Sequence, residues 1–242
     1  MPLKKILAFS SSRAGDSGYL EIALPLIKEF LGDEKKSIAF IPFASVDSYA
    51  DYHLKVSEAL ESLPHKILVV LPENAKKVLE ECDCIMVGGG NTFKLLHDLY
   101  DQDLMDTMRR KIKAGTPYIG WSAGSNILGK SISTTNDMPI VEPKSFAALG
   151  VLPFLINPHY FNQNTAGFNG ETRDMRLEEF LKMNPDSFVI GLPEGSALIL
   201  ENFNLQYIEN GAGYVFNMLD DKFLKRVILT ATNINYLLGD LY

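Results

Sequence analysis

The sequence predicts an α/β fold: a doubly wound, mostly parallel sheet with helices on both faces. Short runs near residues 5–9, 37–43, 65–71 and 84–87 are apolar throughout, as strands buried on both faces are. Segments with helical apolar spacing separate them, which is the βαβ pattern. Gly88-Gly89-Gly90 and Ser122 fall at the carboxyl ends of such runs, and open α/β sheets bind ligands there, so they should line one crevice. At 242 residues, with no linker, repeat or low-complexity tract, the chain reads as one domain over residues 1–242.

The elements follow in order. Lys5-Ile6-Leu7-Ala8-Phe9 is a first strand that ends in Ser10-Ser11-Ser12, and helical spacing runs from Tyr19 to Leu31 despite Pro25. Ser37–Phe43 is a second strand, residues 48–63 a helix, His65–Leu71 a third strand and residues 74–81 a short helix. Cys84–Val87 is a fourth strand that runs into Gly88-Gly89-Gly90-Asn91-Thr92. Two helical stretches, 92–100 and 104–114, precede a fifth strand ending at Gly120, and Asn126-Ile127-Leu128-Gly129 can start a helix after it. From Ser131 to Gly170 the chain is rich in Asn, Thr, Pro, Phe and Gly, and so long a loop region is a mark of function in a compact domain. A helix over 172–183 follows, then short strands near 188–192, 197–201, 206–208, 214–216 and 223–229. These read as hairpins at the sheet edge, with Asn210-Gly211 the clearest turn.

Composition excludes some functions. With 46% hydrophobic and 22% charged residues the chain is globular, and a net charge of −7 without a Lys/Arg cluster argues against nucleic-acid binding. No stretch approaches the roughly 18 apolar residues of a membrane span, and the start is too short for a signal-peptide core, so a cytoplasmic location is expected. Cys82 and Cys84 are the only cysteines, too few for a zinc site. They read as reduced, partly buried thiols rather than a redox pair.

Gly120-Trp121-Ser122-Ala123-Gly124 matches the G-x-S-x-G elbow, in which a serine sits on a sharp strand-to-helix turn. Ser122 is therefore the candidate nucleophile, and a serine hydroxyl needs a positioned base and a group to orient that base. Of the four histidines, His53 and His97 sit in helical patterns and His65 precedes a strand. His159 follows Asn157-Pro158 in the polar loop region and is the candidate base. Asp137 and Glu194, each on a loop, are both candidate orienting acids. Gly88-Gly89-Gly90 and the backbone N–H of Ala123 can form an oxyanion hole. The glycine run lacks the Lys-Ser/Thr ending of a phosphate-binding P-loop.

Six motifs in one order span nearly the whole chain: Val87–Thr92, Gly120–Gly124, Thr134-Thr135-Asn136-Asp137-Met138-Pro139, Ile156-Asn157-Pro158-His159-Tyr160, Gly170-Glu171-Thr172-Arg173 and Pro193-Glu194-Gly195. Together they resemble the peptidase E family of aspartyl dipeptidases. That resemblance implies a class I glutamine amidotransferase-like fold, no cofactor and no metal. It also implies a serine peptidase that cleaves small peptides after an N-terminal Asp, as a monomer or homodimer.

Carried over by motif, it implies Ser122 as nucleophile, His159 as general base and then acid, and Glu194 as the orienting residue. Gly89, Gly90 and Ala123 would form the oxyanion hole, and Arg173 would bind the substrate's Asp side chain. Asp137 would be structural or meet the α-ammonium. The order Ser, His, Glu sets the chain apart from α/β-hydrolases, whose acid precedes the histidine. Two departures from the family pattern stand out: Ser125, where alanine is common, and Gly167-Phe168-Asn169 before Gly170. A related cyanophycinase-like hydrolase of β-aspartyl-arginine and a non-catalytic binding domain are the alternatives.

Overall fold

The computed structural model describes residues 4–163, 167 and 169–239, and the expected apolar runs become the parallel strands of its main sheet. β1 (Ile6–Phe9), β2 (Ser37–Ile41), β3 (Lys66–Val69), β4 (Cys84–Val87) and β5 (Tyr118–Trp121) pair in parallel. Downstream come β6 (Leu155–Asn157), β7 (Val189–Gly191), a hairpin of β8 (Ala197–Glu201) with β9 (Asn204–Ile208), and a hairpin of β10 (Gly213–Leu219) with β11 (Lys222–Ile228). The main sheet has the order β3-β2-β4-β5-β1-β8-β9, with β8 and β9 as its antiparallel edge.

Alternate residues of one strand face opposite ways, and both ways are covered. Leu7, Phe9, Ile38, Phe40, Met86 and Ile119 pack against α1 (Leu24–Leu31) and α2 (Tyr49–Ala59). Ala8, Ala39, Ile41, Ile85, Val87 and Tyr118 pack against α3 (Ala75–Glu81), α4 (Thr92–Asp101) and α5 (Met105–Lys113). Burying each large apolar side chain this way contributes roughly 1.5–3 kcal/mol, which is why the strands carry almost no polar residue. The two cysteines fall on opposite sides: Cys82 joins the second cluster and Cys84 the first, both as free thiols.

Four local expectations change. α1 begins at Leu24 rather than Tyr19, because Pro25 lacks an N–H and fits only the first turn. The helix after the serine, α6 (Ala123–Asn126), is a single turn. The loop region contains a strand, β6, too short to show a period and followed by proline. And the late strands are not all edge hairpins: β6, β7, β10 and β11 form a separate sheet of order β11-β10-β7-β6. In it β6 and β7 are parallel, bridged by α7 (Arg173–Met183).

The hairpin turns are Asn202-Phe203 and Asp220-Asp221, with φ of 51° and 62°, then 49° and 60°. Positive φ at both central residues is what the right-handed twist of a two-residue hairpin requires. Asn210-Gly211 instead carries the chain from β9 in one sheet to β10 in the other.

Candidate active site

Ser122 stands where β5 meets α6, with φ 54° and ψ −113°. A non-glycine residue rarely adopts that conformation, and close packing on either side imposes it. A Cβ on Gly124 would meet the Val87 carbonyl oxygen at 2.3 Å, so only glycine lets α6 turn this tightly over β4. Ser125 is buried and donates to the carbonyls of Phe9 (2.7 Å) and Gly120 (3.0 Å). The Ser125 hydroxyl thus pins the elbow to β1 and β5.

His159 lies just beyond β6, itself at φ 51°. Its N–H donates to Ser10 Oγ at 2.9 Å, and Ser10 in turn donates to the Leu192 carbonyl at 2.8 Å. Below it, Asn157 Nδ2 donates to the Thr134 carbonyl and to Asn136 Oδ1, which fixes the end of β6. The imidazole then bridges two groups: Nε2 is 2.9 Å from Ser122 Oγ, and Nδ1 is 2.8 Å from Glu194 Oε1. An ionised Glu194 can only accept, so Nδ1 carries the proton and Nε2 is left to accept from the serine hydroxyl.

Glu194 sits in the loop between β7 and β8. Asn210 Nδ2 donates to its carbonyl at 3.0 Å, and the following Gly195 N–H donates to Ser11 Oγ at 2.9 Å. The link between the two sheets therefore supports the acid. Asp137 makes no hydrogen bond to the imidazole. Its Oδ2 accepts from the Thr92 N–H at the start of α4 (2.7 Å) and from Thr135 Oγ1 (3.1 Å), while Oδ1 has no donor among the described residues.

Gly89 and Gly90 lie against the serine. A Cβ on Gly89 would stand 3.0 Å from Ser122 Cβ, and one on Gly90, at φ +139°, would meet the Ala44 carbonyl oxygen at 2.3 Å. The loop is held from outside by Tyr52, whose hydroxyl donates to the Gly89 carbonyl (2.9 Å) and accepts from Trp121 Nε1 (3.2 Å). The backbone N–H groups of Gly89, Gly90 and Ala123 have no acceptor among the described residues. Three free donors beside one hydroxyl can stabilise a developing oxyanion.

Ser122, His159, Gly89, Gly90, Ala123 and Asp137 line one cleft of about 1000 Å³, and so does Arg173; Glu194 does not. Arg173, the first residue of α7, is half-buried and has no carboxylate partner among the described residues. Burial, and then the nearby Arg176, hold its guanidinium below the ordinary arginine value, opposed by Tyr160. Arg176 itself pairs with Glu171 at 3.6 Å. An unpaired, partly desolvated guanidinium is costly to keep without an anion to receive.

The other histidines lie outside this cleft: His53 meets the Ile67 carbonyl, His97 pairs with Asp98, and His65 has no hydrogen-bond partner. Sequence reasoning missed Ser10 and Tyr52, whose signals were the serine triplet at the end of β1 and an aromatic one helix away from the glycine loop. Phe168 lies outside the described residues.

A strained serine at the end of β5, an imidazole beyond β6 and a carboxylate beyond β7 thus lie in one hydrogen-bonded line drawn from both sheets. The model of peptidase family S51 matches residues 6–208, and the chain belongs to that family. It is 45% identical to peptidase E of a Nostoc species over 221 residues, spanning 90% of this chain and 91% of that one. It is 47% identical to peptidase E of Haemophilus influenzae over 203 residues, 83% and 93% of the two chains. Among solved structures, a candidate peptidase E of Listeria monocytogenes EGD-e superposes with a TM-score of 0.65 at 25% identity, over 86% of this chain and all of that one. A peptidase from an acI-B1 Actinobacterium shares the fold, with a TM-score of 0.66 at 18% identity over 93% and 97% of the two chains.

Proposed function

We propose that the chain is a serine-type dipeptidase that hydrolyses peptides with an N-terminal aspartate. The observation that carries this reading is Arg173: a half-buried guanidinium with no carboxylate partner among the described residues, in the same cleft as the Ser122–His159 pair. A planar fork of donors suits a carboxylate bidentately, so the residue on the acyl side of the scissile bond would be acidic. Asp137, which lines the same cleft and whose Oδ1 has no donor among the described residues, gives the substrate's α-ammonium an anionic partner.

Chemistry follows from the hydrogen-bond line. His159 Nε2 takes the proton of Ser122 as Oγ attacks the carbonyl carbon, and Glu194 stabilises the imidazolium that forms. The N–H groups of Gly89, Gly90 and Ala123 receive the oxyanion, and one such donor is worth roughly 3–4 kcal/mol of barrier. His159 then protonates the leaving amine, which leaves an aspartyl ester on Ser122. Water deprotonated by His159 hydrolyses the ester and restores the enzyme.

Steady-state hydrolysis of Asp-Leu and Ala-Leu tests the reading. Wild-type protein should prefer Asp-Leu, Ser122→Ala should abolish turnover, and Arg173→Ala should collapse the preference while leaving the thermal midpoint nearly unchanged. An unchanged Asp-Leu to Ala-Leu ratio in Arg173→Ala would remove Arg173 from substrate recognition.

A further inference from the structure

Among the described residues only two lysine or arginine side chains line the cleft, Arg173 and Lys55. Lys55 projects from α2, its Nζ 4.2 Å from the centre of the Tyr19 ring, and it forms no ion pair among the described residues. Tyr19 stands edge-on to Trp121, with ring centres 6.4 Å apart and planes at 82°, and Trp121 immediately precedes Ser122. Tyr52, one turn before Lys55 on the same helix, closes this wall through its bonds to Gly89 and Trp121. The cleft therefore has two cationic points on different elements. Arg173 enters from α7 near the His159 loop, and Lys55 enters from α2 beside the glycine loop. The carboxylates on the α2 side are Asp47 and Asp51, and Asp51 lies one turn from Lys55 without pairing to it.

An Asp-X dipeptide carries two carboxylates, one on its side chain and one at its C-terminus. Resting on the reading that Arg173 takes the first, we infer that Lys55 takes the second. Tyr19, Tyr52 and Trp121 then form the wall against which the leaving residue lies. The leaving-residue subsite is thus built for a free C-terminal carboxylate. A lysine poised over an aromatic face suits this task, because the ring stabilises the ammonium without satisfying its hydrogen-bond donors.

Trp121 is the only tryptophan in the chain, so its fluorescence reports on this wall directly. In a Ser122→Ala background, Asp-Leu should bind about fivefold or more tightly than Asp-Leu-amide, the scale of a partly screened charge contact. Adding Lys55→Met should bring the two affinities within twofold of each other, and Lys55→Arg should keep the preference. Equal binding of acid and amide in the Ser122→Ala protein, or a preference that survives Lys55→Met, would overturn the inference. Lys55 is exposed, so the fold should be unaffected, which far-UV circular dichroism checks. Failure of the peptidase reading shows separately, as absent turnover of Asp-Leu by the wild-type protein.

Discussion

The Tyr160 hydroxyl donates to the Asp174 carboxylate, and this one bond joins the residue after His159 to the residue after Arg173. Asp174 also accepts from Asn162 Nδ2 (3.0 Å) and from Lys225 Nζ (2.8 Å), the latter reaching over from β11. Tyr160 is buried against Gly191, so the second sheet holds the base and the arginine in fixed relation. Tyr160→Phe leaves a carboxylate short of one donor, a loss of about 1–3 kcal/mol. It should lower the preference for Asp-Leu over Ala-Leu along with stability; a stability loss with an unchanged ratio would show that the bond serves the fold alone.

The backbone at Ser122 is strained in a way that glycine relieves. At φ 54° and ψ −113° a side-chain-bearing residue costs about 1–3 kcal/mol, from which glycine's extra chain entropy of roughly 0.5–1 kcal/mol is subtracted. Ser122→Gly should therefore be inactive yet more stable by about 1 kcal/mol, a rise of a few degrees in Tm by calorimetry. Ser122→Ala, equally inactive, should show no such gain.

Glu194 and Asp137 are both loop carboxylates near the serine, yet only Glu194 contacts the imidazole. Glu194→Gln should lower kcat by about a hundredfold to ten-thousandfold with little change in KM, since the wrong tautomer is favoured. Asp137→Asn should act on KM and on the start of α4. Steady-state kinetics on Asp-Leu separates the two, and the reverse pattern would exchange their roles.

Behind the cleft, Lys94 Nζ donates to Asp98 (2.6 Å), to Tyr49 (2.7 Å) and to the Phe43 carbonyl (3.1 Å). Burial pulls the Asp98 carboxyl upward, but hydrogen bonds from Lys94, His97 and Tyr49 outweigh it and hold the group below the usual carboxylate range. A depressed folded-state pKa means stability that is fully present above the unfolded value, near pH 4, and is lost as pH falls further. Lys94→Met should be destabilising at pH 7 by roughly 1–3 kcal/mol, with a smaller penalty at pH 3. Urea unfolding at the two pH values measures the difference, and a pH-independent penalty would mean that packing, not charge, is lost.

Much of this was legible in local pattern. Five uninterrupted apolar runs gave the parallel strands, because a strand buried on both faces tolerates no polar alternation. Gly120 to Gly124 gave the elbow, since glycines at its two ends allow so tight a turn, and a short list of histidines left His159 as the candidate base. Other features were not legible, for equally physical reasons. β6 has three residues and shows no period, and Asn210-Gly211 looks like any hairpin turn although it joins two sheets.

What the sequence by itself determined is the set of parallel strands in the main sheet and the candidate serine and histidine, each encoded in residues a few positions apart. What only the tertiary structure decided is which groups meet. His159 lies 37 residues from Ser122 and 35 from Glu194, and nothing local distinguishes Glu194 from Asp137 as its partner. That choice is made where the β7–β8 loop is braced by Ser11 and Asn210. That Arg173 and Lys55 have no carboxylate partner among the described residues is likewise a property of packing, because a charge is left without a counter-ion only by where its neighbours come to rest.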